Sequence, residues 1–322
     1  MKKYTVRTYE TTYYDTWNTF VSEAKNATFL FHRDFLEYHS DRFLDYSLLI
    51  FEDENLIALL PANTDGNSVF SHQGLTYGGL IYTEKLRLEE VITAFQSILA
   101  FLEKQKKNLL HLKLLPVIYH KNPAQELDYA LFLADAQLVR RDTLSVIDLT
   151  QSYSFSEIRK RGIKKGIYNK LAIKEESDFE PFWNQILIPN LNHRHNAKPT
   201  HTLEEIVYLK SKFPAQIRQF NVYHNDTIVA GTTIFETDTT AHAQYISGNE
   251  TKSELGSLDF LFAALITKTF ANKRWFDFGI SNENNGKTLN KGLSYWKESF
   301  GASTIIHDFY EVPTANHTQL KL

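Results

Sequence analysis

The chain of 322 residues contains no cysteine, which excludes disulfides, a thiolate nucleophile and Cys-ligated zinc or iron–sulfur centres. It also lacks an excess of either charge: 35 Lys and Arg stand against 38 Asp and Glu, a net charge of −3. No overall field then draws in nucleic acid or an anionic membrane, so such a partner must use a local patch, and DNA is not expected as one. No apolar run approaches the roughly 18 residues of a membrane span. The opening MKKYTVRTYETTYYDTW has two lysines but no apolar signal core, and a cytoplasmic address is expected. What the chain does have is apolar and aromatic mass. It is 43% hydrophobic with 23 Phe and 17 Tyr, too much for a disordered chain and enough for two domains or one large one.

Hydrophobic periodicity predicts a strand near 3–9, helices near 12–25 and 33–40, and a strand pair in YSLLIFEDENLIALLPAN turning at Asp53, Glu54 and Asn55. A strand in NSVFSHQGLTYGGLIY, a helix near 87–105, the strand NLLHLKLLP, a helix near 123–135 and a strand near 137–149 follow. The second half predicts helices near 155–168, 179–190 and 203–211, then the pair IRQFNVYHNDTIVAGTTIFE turning at His224, Asn225 and Asp226. The strand AHAQYISGN, a helix near 257–272, the strand RWFDFGIS, a helix near 286–299 and the strand STIIHDFYE complete it. LLIFEDENLIALLPA and FNVYHNDTIVAGTTI match in pattern, so the halves read as one unit used twice. The expectation is an α+β (mixed α/β) fold of two units, 1–150 and 151–322, each a mixed, largely antiparallel sheet flanked by helices. The boundary falls near 141–153, where no Gly-, Ser- or Pro-rich linker occurs.

Several segments carry groups capable of chemistry. FSEIRKRGIKKGIYNKLAIK holds Arg159, Lys160, Arg161, Lys164, Lys165, Lys170 and Lys174, which read either as a polyanion contact or as a solvated helix face. NLNHRHNAKPTHTLEE gathers His193, Arg194, His195 and His201 without the spacing or carboxylates of a zinc site, so no metal is expected. His193, Arg194 and His195 then read as an acceptor-side loop or as surface residues, while Thr202 and Glu205 form a capping box. His72 and Gln73, before the glycines of TYGGL, mark either a cleft wall or a bulged strand with an internally satisfied histidine.

The order of elements, with FSEIRKRGIKKGI, YHNDTIVAGTTIF, QYISGNETKSELGSLDFLFAALI and FDFGIS followed by GLSYWKESFGA, resembles the GNAT acyltransferase superfamily, in its tandem FemAB-like branch. The resemblance implies acyl transfer by direct amine attack. The expected reaction is an acyl-CoA-dependent N-acyltransfer, with acetyl-CoA as the first expected donor, to an amino sugar or other small, sugar-linked cell-envelope or polysaccharide precursor. Transfer from aminoacyl-tRNA to a peptidoglycan precursor is the alternative, and the only one in which tRNA is a partner; a non-catalytic binding protein of the same fold is the third reading. The donor loop is expected at Gly256, Ser257 and Leu258, although KSELGSLD lacks the family's second glycine. The resemblance further points to Tyr245 and Ser247, to Ser281, Asn282 and Glu283 with Asn285 beyond them, and to Tyr295 and Lys297. Lys297 would stabilise negative charge, Tyr295 would protonate the leaving sulfur, and Glu283 or a histidine would take the amine proton. Asn282 and Asn285 read equally as acceptor contacts and as turn formers.

Overall fold

The computed structural model describes residues 3–195 and 197–321. These form two compact units: one holds the chain up to Asp142 with Asn285–Lys287 and the residues from Ile306 on, the other Thr143–Asn284 and Thr288–Ile305. Both are mixed α+β, with largely antiparallel sheets flanked by helices.

In the first unit, Tyr4–Thr8, Leu48–Glu52, Asn55–Leu60 and Ile81–Tyr82 form an antiparallel sheet in that order. A second set of strands centres on Leu109–Lys113, which pairs in parallel with Ser68–Ser71 and antiparallel with 309–313. Helices Leu88–Lys104 and Glu126–Leu133 bury Val91, Phe95, Ile98 and Leu131 against Leu48, Ile50, Ala58 and Leu110. The continuous strand expected across residues 68–82 is instead two short strands, because 72–80 is a loop whose Gly78 bridges Leu114. The first hairpin is tighter than its polar run suggests: Glu52 pairs with Asn55, leaving a turn of Asp53 and Glu54.

The second unit orders its strands Ala172–Glu176, Ile217–His224, Thr227–Glu236, Thr240–Gly248 and Trp275–Ile280, followed by the C-terminal part of Gln137–Asp148. His224 pairs with Thr227 across Asn225 and Asp226, whose φ of 48° and 61° are those of a type I′ turn, which Asn and Asp tolerate. Tyr245 packs edge-on against Trp183, whereas its neighbour Ile246 packs with the cluster of Phe262, Phe276, Phe278 and Phe300, so Thr240–Gly248 is covered on both faces. Three departures from periodicity occur here. Ala172–Glu176 is an extra edge strand. The polar run after Ile188 is helical, Ile188–His195, and not a loop. The last helix starts at Lys291, because Asn282–Glu283 and Thr288–Leu289 form a small hairpin over the positive-φ residues Asn284, Asn285 and Gly286.

Candidate functional site

Thr240–Gly248 and Trp275–Ile280 run parallel but pair over only three rungs, from Thr240 with Trp275 to His242 with Asp277. Beyond them the second strand bulges, with Asp277 opposite Val146 and Ile280 opposite Leu144, and Gly279 takes φ +71°. A parallel pair that ends early leaves both strands' inner edges for other groups. A cavity of about 870 Å³ is lined by Ile246 and Ser247, the residues that continue the first strand past that point. That volume is typical of a small-molecule site.

Five helices complete its wall, two of them through Asn190 and through Lys252 and Ser253. Glu157–Tyr168 starts at Ser156, whose side chain accepts from the Arg159 amide, and contributes Ile158, Arg159, Arg161, Gly162 and Lys165. Ser257–Ala264 contributes Leu258 and Asp259, and Lys291–Glu298 contributes Gly292, Leu293 and Trp296. The first two helices touch closely: a Cβ on Gly162 would fall 1.8 Å from Asp259 Oδ2, one on Gly166 2.5 Å from Phe260 Cβ, and one on Gly256 2.1 Å from the Gly162 carbonyl oxygen. Gly256 is also left-handed, φ +72°, so conformation and contact both require glycine there. The Gly256 amide, which a backbone phosphate cradle would use, donates to the Lys252 carbonyl at 2.9 Å.

The wall is mainly cationic. Arg159, Arg161, Lys165 and Lys252 face a single carboxylate, Asp259, which is ion-paired to Arg159. Burial pushes the Asp259 carboxyl up from its ordinary value, against the Arg159 charge and a hydrogen bond from Trp296. Lys165 Nζ donates to the Ser253 carbonyl at 3.1 Å, and Asn190 Nδ2 donates to Ser247 Oγ at 3.0 Å. Ser257 is fully buried at the start of its helix, and its hydroxyl has no hydrogen-bond partner among the described residues.

Of the residues singled out from sequence, Leu258 lines the cavity, with Gly256 and Ser257 beside it in the chain. Lys297 is not in the lining. It is 2% exposed, and its Nζ donates to the carbonyls of Gly279 at 2.9 Å and Ile280 at 2.6 Å, so it is neither a surface lysine nor a cavity cation. Burial lowers its pKa to about 8, partly opposed by Asp277. Tyr295 on the same helix is exposed. Tyr245 is turned away, accepting from the His201 amide at 3.1 Å with His201 Nδ1 at 2.6 Å, and burial raises its pKa to about 12. Glu283 is exposed and accepts from Asn290 Nδ2, while Asn282 Oδ1 accepts from both the amide and the hydroxyl of Thr143. Asn285 belongs to the first unit, at φ 52°, where it receives a 3.4 Å bond from Arg140.

His72 and Gln73 also lie in the first unit. His72 is buried, stacked 5.2 Å from His39, and accepts from the Gly74 amide, while Gln73 exchanges hydrogen bonds with Asn63. Burial, with His39, Lys113 and Arg33 nearby, lowers the His72 pKa to about 3. His193 is exposed on helix Ile188–His195; the side chains of Arg194 and His195 lie outside the described residues. Among the described residues no group of three metal-ligating side chains occurs.

Sequence reasoning passed over Asp277, Asp259, Asn190 and His242. Asp277 is fully buried on the last paired rung, with Oδ2 2.8 Å from His242 Nδ1 and Oδ1 accepting from the Gly279 amide at 2.7 Å. The signal was present: one carboxylate inside the apolar run WFDFG needs buried partners.

The sequence matches no family model and no curated protein. Its fold matches solved structures over nearly the whole chain. FemX covers 98% of this chain and 99% of its own at 9% identity and a TM-score of 0.67. L-PGS from Bacillus licheniformis covers 86% and 87% at 11% identity and a TM-score of 0.55. A tandem GNAT protein from the clavulanic acid biosynthesis pathway covers 97% and 99% at 9% identity and a TM-score of 0.51. With its paired mixed-sheet units and a parallel strand pair parting at a cavity, the chain has the GNAT-superfamily fold in its FemAB-like form.

Proposed function

We propose that the chain is an acyltransferase that moves an acyl group from acyl-CoA, acetyl-CoA first among them, to the amine of an amino sugar or a related cell-envelope or polysaccharide precursor. The observation that carries the proposal is the 870 Å³ cavity at the parted strands with Arg159, Arg161, Lys165 and Lys252 on its wall. A thioester donor on a polyphosphate carrier needs a long, partly apolar slot with cations at one end, and Ile158, Ile246, Leu258 and Leu293 supply the apolar part. The carrier's phosphates would be held by Arg161, Lys165 and Lys252, since Arg159 is engaged by Asp259. Side chains, and not a glycine cradle, would do most of this work, because the Gly256 amide is already bonded to the Lys252 carbonyl.

In the reaction, the amine nitrogen attacks the thioester carbonyl, the C–N bond forms, the C–S bond breaks, one proton leaves nitrogen and one reaches the departing sulfur. His242 is the histidine proposed to take the amine proton: it lies outside the cavity lining but on the final rung before the strands part, and Asp277 holds its Nδ1. Glu283 remains the carboxylate candidate for the same step, and Tyr295 the candidate for protonating sulfur. Lys297 acts as a positioning residue, pinning the carbonyls of Gly279 and Ile280 at the end of the strand. Ser247, tied to Asn190 in the cavity wall, orients what lies against the strand.

A second reading, aminoacyl transfer from tRNA to a peptidoglycan precursor, is favoured by the higher TM-score to FemX, 0.67 against 0.51 for the tandem GNAT protein. Incubation with radiolabelled acetyl-CoA and a panel of amino sugars and sugar nucleotides separates the two. A labelled amide is expected; label that stays on CoA, with transfer from charged tRNA instead, refutes the acyl-CoA reading. A chain that uses neither donor is a binding protein of this fold.

A further inference from the structure

We propose that the outer face of helix Glu157–Tyr168 is a docking surface for an anionic lipid bilayer. Gly162 and Gly166 turn one side of this helix inward, against Asp259 and Phe260. At 3.6 residues per turn the opposite side carries Lys160, Lys164, Ile167 and Tyr168, with Arg161 at its edge. Tyr168 is 86% exposed and Ile167 62%, so the helix ends in an aromatic and an aliphatic side chain standing in solvent. Around them cations outnumber carboxylates, which are Glu157 on the helix and Glu175 and Glu176 after Lys174 on the next strand. Lys164 and Lys170 make no salt bridge among the described residues, and Lys174 is exposed on the next strand. The one carboxylate on this side of the helix, Glu157, lies at its far end and is paired to Lys160.

That combination separates a membrane from a nucleic acid. Cations and a tyrosine would serve either, through phosphates and base stacking or through headgroups. An isoleucine two-thirds exposed beside them gains nothing from a nucleic acid but enters the boundary between headgroups and acyl chains, where tyrosine also partitions. The chain has no helix long and apolar enough to cross a membrane among the described residues, so the contact is a surface one. Arg161 and Lys165 of the same helix line the cavity, so the docked face adjoins the site wall.

Sedimentation of the full chain with sucrose-loaded vesicles tests this without any donor or transfer assay, so it stands or falls separately from the acyltransferase reading. The chain is expected to sediment with vesicles of phosphatidylcholine containing about one-third phosphatidylglycerol, to remain soluble with phosphatidylcholine alone, and to be released by salt. An Ile167→Asp, Tyr168→Asp variant should lose at least roughly tenfold in partitioning, and a Lys164→Glu, Lys170→Glu variant more, since each lysine at an anionic surface contributes roughly fivefold. Both variants should melt as the wild type does, because all four side chains are exposed. Wild-type chain that ignores anionic vesicles, variants that bind like wild type, or salt-sensitive binding to polyuridylate in place of vesicles would each overturn the proposal.

Discussion

Replacing Lys297 with Met isolates what a buried ammonium does at the end of strand Trp275–Ile280. The side chain is 2% exposed and donates to the Gly279 and Ile280 carbonyls, so Met keeps its length while leaving two carbonyls without that donor. Each orphaned carbonyl costs about 1–3 kcal/mol. Against this, Met removes a charge that burial disfavours. The lysine pKa falls from 10.5 to about 8, and such a gap corresponds to about 3 kcal/mol of cost to the protonated folded state at neutral pH. The two contributions nearly cancel at about pH 7. They separate on raising the pH: a group whose folded pKa is depressed gives stability that is present above its unfolded pKa and lost as pH falls through the folded one, so wild type gains between about pH 8 and 10.5 and the variant does not. The penalty of Lys297→Met should therefore grow by about 2 kcal/mol between about pH 7 and about pH 9.5. Lys113, also lowered to about 8, titrates alike in both chains and drops out of the difference. Urea unfolding followed by tryptophan fluorescence at the two pH values reads this directly. A penalty that stays constant or shrinks would refute the buried-ammonium account.

Other consequences follow from packing and titration. Gly166→Leu should lower the Tm by several degrees, since even a Cβ meets Phe260 at 2.5 Å and overpacking there costs about 1–3 kcal/mol. His72, with its pKa lowered to about 3, gives stability present above about pH 6.5 and lost on acidification; the loss is about 3 kcal/mol at about pH 4, and a pH-dependent melt of His72→Phe should show a flatter acid limb than wild type. Tyr245→Phe should destabilise by about 1–2 kcal/mol in urea, through loss of the hydroxyl bonded to the His201 amide, while leaving donor binding unchanged because the hydroxyl faces away from the cavity.

Much of the fold was legible because local rules and tertiary structure agreed. Leu88–Lys104 buries an apolar stripe at helical spacing, and Asn225–Asp226 between apolar runs is hairpin chemistry. Where they disagreed, tertiary contacts won. Ile188–His195 is rich in Asn and His yet stays helical, and its Asn190 bonds Ser247 across the cavity wall. Asn284–Gly286 turns a hairpin where helical spacing from Lys291 onward invites an earlier start. The site was harder to read than the fold. The basic run disclosed Arg159, Arg161 and Lys165, because charge density is visible in a sequence. That Asp259 ties up Arg159, or that Lys297 points into backbone carbonyls instead of a ligand, depends on helices brought together from distant parts of the chain. Gly162 and Gly166, one helical turn apart, were a contact-face signal that the reading of the basic run passed over.

The central claim is that the cationic cavity of the second unit holds an acyl donor's phosphates, and calorimetric titration with acetyl-CoA tests it most directly. Binding is predicted for wild type, with a loss of at least about tenfold in Arg161→Ala, Lys252→Ala, given that a charge-assisted contact contributes about 1.5–3 kcal/mol. Heat identical to dilution in wild type, or equal affinity in the variant, would contradict it.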